Sequence, residues 1–257
     1  MSQAVKNDLK NIPVVILAGG KGINLGPQGR CIAKPLVEIN GIPLLLYIMD
    51  HYGKAGFGKF IICGGFGIDS VKAFVANIPA LGARLKPAVD RSKWSISVAD
   101  TGMDNMTGSR LAQISSMLKA SPLFCLTYGD TVAGVGLEEL LSFHLSHQKT
   151  GTLLAVHNPT RFRILGLCGD EDLIKGFAEK PVLEKDYING GFYIFNSSIF
   201  NLKSLFPDPA CVLETTVLEE LILQKQLCAY RFNGFWQHLD TERDKQKIIQ
   251  HYSGVLK

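Results

Sequence analysis

Short apolar runs rich in β-branched residues alternate with longer segments of helical period in the first half of the sequence. The apolar runs are Val14–Ala18, Phe60–Cys63 and Leu123–Thr127. The helical segments that follow them are Pro43–Ala55, Ser70–Ala76 and Leu137–His147. Strands in such an order normally lie parallel and are covered on both faces. The pattern therefore predicts an α/β fold.

The second half of the chain has a different pattern. Its strand-like pieces are Thr152–Val156, Gly191–Phe195 and Cys228–Phe232, and its clear helix is Thr216–Gln226. No linker rich in Pro, Gly or Ser separates this half from the first. We therefore expect the second half to extend the same sheet and to build a lid over it, within one domain of residues 1–257.

In two helical segments the spacing of residues predicts which side chains are buried and which are exposed. Between Arg110 and Lys119 the apolar residues fall on one face, which predicts that all of them lie in the core: Leu111, Ile114, Met117 and Leu118. The pair His144 and His147 lies on a helix without a third metal ligand at suitable spacing. We interpret these two histidines as part of a solvated face.

Composition excludes several classes of protein. The formal charge of +4 over 257 residues, without a basic block, does not indicate nucleic-acid binding. The six cysteines lack a C-x-x-C pair and mostly lie in apolar runs, which favours buried free thiols. No apolar leader segment and no run of 18 apolar residues is present. We therefore expect a soluble, cytoplasmic protein with no membrane partner.

The first strand runs directly into the glycine-rich segment Gly19-Gly20-Lys21-Gly22. Glycines permit close approaches that a side chain would block, so this loop could turn its amides towards phosphates. It lacks the Gly-Lys-Ser/Thr of a Walker A loop, and Leu25 stands where the dinucleotide fingerprint has its last glycine. Alone, the loop is equally typical of an ordinary tight turn.

Several motifs in a fixed order resemble the sugar-phosphate nucleotidylyltransferases. The opening of that family is matched by Leu17-Ala18-Gly19-Gly20-x-Gly22, Lys34-Pro35-Leu36 and Gly41-x-Pro43. Later motifs resemble the glucose-1-phosphate cytidylyltransferase branch: Asp100-Thr101-Gly102, Met106-Thr107-Gly108-x-Arg110-Leu111, Thr127-Tyr128-Gly129-Asp130, Phe177-x-Glu179-Lys180-Pro181, Ile188-Asn189-Gly190-Gly191-Phe192 and Gly234-Phe235-Trp236-Gln237-x-x-Asp240-Thr241-x-Arg243-Asp244. The match runs from about Ile12 to Ile249, nearly the whole chain.

This resemblance implies a Rossmann-like mixed sheet flanked by helices, of the nucleotide-diphospho-sugar transferase type, with a smaller sugar-binding or lid region. Residues of about 12–150 would form the nucleotide-binding half and about 151–257 the sugar-binding half. The reaction implied joins CTP to a sugar 1-phosphate, most simply glucose 1-phosphate, and releases pyrophosphate. The family tends to form homo-oligomers and commonly supplies activated sugars for surface polysaccharides.

The resemblance also assigns residues to roles. Catalysis would involve Lys34, Lys180, Asp130 and Asp240. The nucleotide would contact Leu17, Ala18, Gly19, Gly20, Gly22, Asn24, Arg30, Lys34, Thr107, Gly108 and Arg110, the last three where the family reads the pyrimidine. The sugar phosphate would contact Tyr128, Gly129, Glu179, Lys180, Asn189 and Gly190.

Two aspartates are candidates for a metal site. Asp130 closes an apolar strand, at the end of the strand where open α/β sheets bind ligands, and Asp240 follows an aromatic stretch that ends in Trp236. Carboxylate oxygens suit Mg²⁺, which takes its other ligands from water and substrate phosphates. Either aspartate could instead cap a helix or a turn. With the resemblance, we expect Asp130 and Asp240 to hold Mg²⁺ together.

The sequence departs from the family pattern beside the phosphates. Where the family usually continues the loop with Gly-Thr-Arg-Leu, this chain has Gly22-Ile23-Asn24-Leu25, and Ile32-Ala33 replaces a Lys-Pro pair. Arg30 is a candidate to replace the missing guanidinium. Three hypotheses remain open: an active cytidylyltransferase, an enzyme with another phosphorylated or phosphonate acceptor, and a non-catalytic homologue that binds nucleotide sugar.

An unrelated class, the dinucleotide-dependent oxidoreductases and methyltransferases, also begins with a glycine-rich loop. Such an enzyme needs an acidic residue at the end of the second strand to hold a ribose, and Glu38 lies near the required distance. Glu38 precedes a Gly-x-Pro turn, however, and the glycine spacing is wrong. This class is therefore disfavoured.

Overall fold

The computed structural model describes residues 9–20, 32–85, 89–157, 187–202, 206 and 210–254, and the backbone of 164–168 and 171–178. Its strands are β1 (Pro13–Leu17), β2 (Glu38–Ile39), β3 (Ile42–Pro43), β4 (Lys59–Gly64), β5 (Ser95–Asp100), β6 (Leu123–Tyr128), β7 (Thr131–Ala133), β8 (Gly151–His157), β9 (Ile164–Cys168), β10 (Glu171–Ala178), β11 (Tyr187–Asn196), β12 (Leu227–Phe232) and β13 (Trp236–His238). Its α-helices are α1 (Leu44–Lys54), α2 (Ile68–Ala83), α3 (Thr107–Gln113), α4 (Ser115–Leu118), α5 (Leu137–His147), α6 (Glu219–Leu223) and α7 (Glu242–His251).

Seven strands form the main sheet in the order β12-β8-β11-β6-β1-β4-β5. Strands β5, β4, β1 and β6 pair in parallel, β11 is antiparallel to both of its neighbours, and β12 is parallel to β8. The sheet is therefore mixed, and strands of the second half extend it as expected. Because β1, β4, β5 and β6 are parallel, their carboxyl ends meet at one edge.

Each face of the sheet is covered by its own apolar cluster. Along β1, Val14 and Ile16 join the cluster that includes α1 and α2, whereas Val15 and Leu17 join the cluster that includes α3 and α4. This period of two follows from the pleat of a strand, and burial on both faces explains why β1 is apolar throughout. The α/β arrangement predicted from the sequence is confirmed.

The helix predicted at Thr216–Gln226 begins earlier and starts in another form. A π-helical turn covers Leu213–Leu218 and continues into α6. Such turns are rare and occur frequently at functional sites. The turn places Glu214 half-buried beside the carboxyl end of β6, where it contacts Tyr128.

Two predictions about helical faces are wrong. Met117 is exposed rather than buried, because the segment is split at Ile114 into α3 and α4 and so does not keep one helical face. His144 is buried, not solvated, because α5 packs against β8 and β12. Its ring nitrogens lie 2.9 Å from Thr152 Oγ1 and 3.1 Å from Asn196 Oδ1.

The cysteines of the described chain agree with the prediction of free thiols. Cys63, Cys125 and Cys211 are buried, and Cys228 is half-buried. Burial raises the pKa of the Cys63 thiol to about 12, so it is protonated at neutral pH. Cys31 and the side chain of Cys168 lie outside the described residues.

None of the helices described here combines the length and the apolar character that crossing a bilayer requires.

Candidate active site

A cleft of about 360 Å³ opens at the carboxyl edge of the parallel strands. This volume lies within the range of small-molecule sites, and the position is the usual ligand position in open α/β sheets. The lining residues are Leu17, Ala18, Gly19, Gly20, Lys34, Pro35, Asn105, Met106, Thr107, Arg110, Tyr128 and Asp130. Of these, Pro35, Asn105 and Met106 were not assigned from the sequence, although each lies in or beside a quoted motif.

Arg110 ties together the loops that follow three parallel strands. Its Nη2 donates to Gly19 O after β1 at 2.8 Å, and its Nη1 donates to Gly64 O at the end of β4 at 3.1 Å. After β5, Nη1 also donates to Thr101 Oγ1 at 2.8 Å and to Gly102 O at 2.7 Å. Burial lowers the pKa of the guanidinium from its ordinary value, but arginine still carries its charge at neutral pH.

The two glycines at the floor of the cleft differ in their surroundings. A Cβ added to Gly19 would lie 2.1 Å from Arg110 Nη1, whereas a Cβ on Gly20 would meet no atom of the described residues within 4 Å. The first glycine is therefore required by the close approach of the arginine. The second leaves the floor of the cleft open.

A short antiparallel ladder brings two distant aspartates together. β7 follows Asp130 directly and pairs with β13, with Thr131 opposite His238. Leu239 N donates to Asp130 O at 2.8 Å, which continues the ladder to the site. Asp240 therefore reaches Asp130 although 110 positions separate them in the sequence.

Asp240 is held in place by the start of α7. Thr241 is the N-cap of that helix and forms a capping box with Asp244, in which each side chain accepts a hydrogen bond from the other's backbone N–H. The alternative that Asp240 itself is the helix cap is therefore wrong. Its carboxylate instead forms an ion pair with Lys34.

Lys34 lies between the two aspartates. Its Nζ is 2.8 Å from Asp240 Oδ1 and 3.4 Å from Asp130 Oδ2. Burial lowers the pKa of Lys34, but the hydrogen bond and charge of Asp240 and the charge of Asp130 outweigh it, so the pKa is raised overall. Burial likewise opposes ionisation of Asp240, yet its contacts with Lys34 and His238 lower its pKa. At neutral pH the cluster therefore contains an ammonium held by two carboxylates.

Tyr128 belongs to a chain of hydrogen-bonded side chains behind the cleft. Its hydroxyl donates to Glu214 Oε1, and Thr107 Oγ1 donates to Glu214 Oε2 at 3.3 Å. On the other side Tyr128 bonds to Tyr193, whose hydroxyl accepts from Asn189 Nδ2 at 2.6 Å. Burial raises the pKa of Tyr128, and the neighbouring Tyr193 and Glu214 raise it further, so the phenol stays protonated.

Four of the predicted contact residues that the structure describes are not part of the lining of the cleft. Gly108 is buried in α3, where a Cβ would lie 2.5 Å from Cys211 Sγ. Asn189 faces Tyr193, and Gly190 O accepts a hydrogen bond from Trp236 Nε1 at 2.8 Å. Gly129 is adjacent to the cleft, where its N–H donates to Leu17 O at 3.0 Å. Their contacts with substrate remain predictions.

Five predicted site residues lie outside the described residues: Gly22, Asn24, Arg30, Glu179 and Lys180. The departure at Ile23-Asn24 lies there as well. The structure thus assembles Lys34, Asp130 and Asp240, and the roles of these five other residues remain predictions. Sequence reasoning missed His238 and Glu214, since neither belongs to a spacing pattern that carries chemistry by itself.

Comparison with known proteins identifies the family to which this chain belongs. The profile of the family described as "Nucleotidyl transferase" matches residues 13–244. The chain belongs to the nucleotidyl transferase family. It is 36% identical over 241 residues to the glucose-1-phosphate cytidylyltransferase of Salmonella typhimurium, which covers 90% of this chain and 92% of that protein.

More distant members of the family have different nucleotides and sugars in their names. The chain is 29% identical to the mannose-1-phosphate guanylyltransferase catalytic subunit beta of Drosophila melanogaster, over 90% of this chain and 60% of that protein. Among solved structures, a UDP-glucose pyrophosphorylase complexed with UDP-glucose superposes with a TM-score of 0.68 at 17% identity, covering 94% and 98% of the two chains. That similarity confirms the expected nucleotide-diphospho-sugar transferase fold. The chain is a nucleotidyltransferase, as its sequence motifs indicate.

Proposed function

We propose that this nucleotidyltransferase transfers the cytidylyl group of CTP to glucose 1-phosphate and releases pyrophosphate. The observation that carries the proposal is the assembly of Lys34, Asp130 and Asp240 at the cleft, in a chain 36% identical to a glucose-1-phosphate cytidylyltransferase over 90% of its length. In this reaction a phosphate oxygen of the sugar phosphate forms a bond to the α-phosphorus. The bond from that phosphorus to the bridging oxygen breaks, and pyrophosphate leaves with the electron pair.

For this reaction the protein must position the substrates and neutralise charge, and it needs no covalent nucleophile. Lys34 is the cation that would neutralise charge on the nucleotide's phosphates. By the resemblance, Lys180 would hold the phosphate of the sugar, and Glu179 and Asn189 would bind its hydroxyls. Tyr128 would contact the sugar or its phosphate and limit the depth of the cleft. Arg110, whose Nη atoms face main-chain and Thr101 oxygens, would support the nucleotide loop.

The donor set fits Mg²⁺. The two carboxylates already hold a cation, the ammonium of Lys34, so a compact positive charge is compatible with this position. Among the described residues no three His, Cys, Asp or Glu side chains converge on a metal position. Mg²⁺ commonly binds through one or two carboxylates and completes its shell with water and phosphate oxygens. Asp130 and Asp240 would hold the ion, which would neutralise charge on the phosphates.

The replacement of Thr-Arg by Ile23-Asn24 favours two alternatives that the experiment must separate. A weaker grip on the triphosphate could accompany a different acceptor, such as another sugar phosphate or a phosphonate. It could also accompany loss of catalysis in a protein that only binds nucleotide sugar. The relatives named for guanylyl transfer make the nucleotide a second variable.

The deciding experiment measures pyrophosphate release with CTP, glucose 1-phosphate and Mg²⁺. We expect release that requires all three components and is lost in Asp240→Asn. The same assay with UTP, dTTP and GTP, and with mannose 1-phosphate and a phosphonate acceptor, distinguishes a changed substrate from an inactive homologue. Activity only with another pair would replace the proposed substrates. No release with any pair, together with calorimetric binding of CDP-glucose, would support the non-catalytic alternative.

A further inference from the structure

His238 lies against both aspartates of the proposed metal site. Its Nε2 is 3.2 Å from Asp240 Oδ1, and its Nδ1 is 3.5 Å from Asp130 Oδ1. The side chain is 31% exposed, so it belongs to the wall of the site rather than to the open surface. No motif quoted for the family assigns this position, which is one of the two unspecified residues between Gln237 and Asp240.

The two ring nitrogens of His238 face different partners. Thr131 Oγ1 is 2.8 Å from His238 Nδ1 and can donate to it. The other nitrogen faces a carboxylate oxygen, and that contact is attractive only if Nε2 bears hydrogen. A ring with hydrogen on Nε2 donates to Asp240, while Nδ1 shares a hydrogen bond with Thr131 Oγ1.

The main chain keeps this arrangement rigid. Thr131 and His238 are directly opposite each other in the β7–β13 ladder, and Asp130 and Asp240 lie within two residues of them. Trp236, on the same strand, is fixed by its hydrogen bond to Gly190 O. The imidazole therefore acts on Asp240 from a fixed strand, unlike Lys34, whose flexible stem lets its head move to a phosphate.

We propose that His238 is a positioning residue for Asp240: by donating from Nε2 to Oδ1 it fixes the carboxylate that holds the metal. The inference rests on the proposed function, because it requires that Asp130 and Asp240 bind a divalent ion. His238 is not proposed as a ligand, since its nitrogens do not converge with the carboxylates on a metal position in the described chain. Partners of this kind tune metal sites, and their loss typically weakens metal affinity about 10- to 100-fold.

Two substitutions separate the hydrogen bond from the bulk of the side chain. His238→Gln can place an amide N–H near the position of Nε2, whereas His238→Phe keeps a ring and removes the donor. The probe is Mn²⁺ alone, whose binding to the intact protein is followed by loss of the free-ion EPR signal. We expect His238→Phe to raise the Kd for Mn²⁺ about tenfold and His238→Gln to change it by less than about threefold.

Thr131→Val tests the role of His238 independently, because it removes the hydrogen-bond partner of the other ring nitrogen. Valine preserves the β-branched shape in β7 but cannot form a hydrogen bond with Nδ1, so the ring is held less firmly against Asp240 and Mn²⁺ affinity should fall by about threefold. In the His238→Phe background, Thr131→Val should have no further effect, because the two residues act in series. Thermal unfolding of each variant, and CTP binding without metal, should stay near the values of the parent.

Asp240→Asn in the same EPR assay distinguishes the two proposals. If Asp240→Asn binds Mn²⁺ as the parent does, the metal site is misplaced and the role of His238 fails with it, whereas the proposed reaction is still judged by pyrophosphate release. If Asp240→Asn loses binding while His238→Phe stays within twofold of the parent, only the role of His238 is overturned. A loss in His238→Gln as large as in His238→Phe would also overturn it, because the donor would then be irrelevant.

Discussion

Two polar clusters border the same cleft, and they differ in their exposure and in the partners of their charged groups. Arg110 is 4% exposed, and its guanidinium donates to oxygens at the ends of β1, β4 and β5 or in the loops that follow them. The Lys34 cluster is accessible, with side-chain exposures of 21% for Lys34, 19% for Asp130 and 42% for Asp240. The Arg110 cluster is therefore part of the buried scaffold, whereas the Lys34 cluster is open to solvent, as the proposed binding of a metal ion and phosphates requires.

The largest effect is expected where the accessible cluster loses a carboxylate. Asp240→Asn should lower kcat about a thousandfold, equivalent to about 4 kcal/mol, because charge stabilisation of the phosphates is lost. Its free energy of unfolding should change by less than about 1 kcal/mol, since partly exposed ion pairs contribute little. Urea denaturation and pyrophosphate release measure the two quantities.

The control for this variant is Asp69→Asn, which removes an exposed carboxylate that pairs with Lys72 on α2. Neither its turnover nor its stability should change. If Asp240→Asn instead strongly lowered the free energy of unfolding while the folded variant kept its specific activity, Asp240 would belong to the scaffold and not to the accessible site.

The next largest effect concerns the buried cluster. Arg110→Met should lower the free energy of unfolding by about 3 kcal/mol, because it removes the buried hydrogen bonds that join the ends of β1, β4 and β5. Urea denaturation measures the loss. Arg84→Met is the matched control: Arg84 donates to Gly41 O in an exposed position, so about 1 kcal/mol or less is expected. Equal losses in the two variants would contradict the role of Arg110 as an anchor.

The adjacent glycines sharpen the comparison at the point where the buried cluster meets the cleft. Gly19→Ala should destabilise the fold by about 2 kcal/mol, because its methyl group would displace the Arg110 guanidinium. Gly20→Ala meets no atom of the part of the chain that the structure describes and should leave the melting temperature unchanged. A lower melting temperature for Gly20→Ala than for Gly19→Ala would show that the loop is held differently.

A smaller effect is expected for the hydrogen bonds behind the cleft. Tyr128→Phe and Glu214→Gln each weaken the same contact and should each cost about 1 kcal/mol of stability. Because the partners touch, the double variant should lose less than the sum of the two. Urea denaturation of the four proteins measures this coupling, and strictly additive losses would mean that the contact contributes nothing.

The smallest effect is the pH dependence of the Lys34–Asp240 pair. Since the pKa of Asp240 is lowered in the folded protein, the pair stabilises the fold above the ordinary carboxyl pKa of about 4 and loses this contribution as pH falls through the lowered value. The difference in melting temperature between the parent and Asp240→Asn should therefore shrink in acid. A difference that grew with falling pH would contradict the sign of the shift.

Much of this fold could be read from local pattern. Apolar β-branched runs predicted β1, β4 and β6 and their burial, because a strand covered on both faces cannot carry polar side chains. The misplaced residues, Met117 and His144, show the limit of periodicity. A break at Ile114 changed which side chains face the core, and the packing of α5 on the sheet buried a histidine that has hydrogen-bond partners there.

The site was predicted only in part, because motifs identify residues that lie in them but not residues that act through tertiary contacts. Lys34, Asp130 and Asp240 were found because they lie in motifs that resemble a known family, and the structure brings them together. Glu214 and His238 could not be found in that way. Glu214 is noticed only through its contact with Tyr128, and His238 only through its contact with Asp240. Such contacts depend on how separate strands and turns come together in the fold.

By itself the sequence determined the α/β fold, the glycine-rich turn after β1 and the identity of the charged side chains. These follow from local chemistry, because burial, turn geometry and charge are properties of short segments. Only the tertiary structure decided that Arg110 anchors the loops of three strands and that the β7–β13 ladder places Lys34, Asp130, His238 and Asp240 in one cluster. Hydrogen bonds and ion pairs act over a few ångströms, so residues 110 positions apart acquire a common chemistry only after the chain has folded.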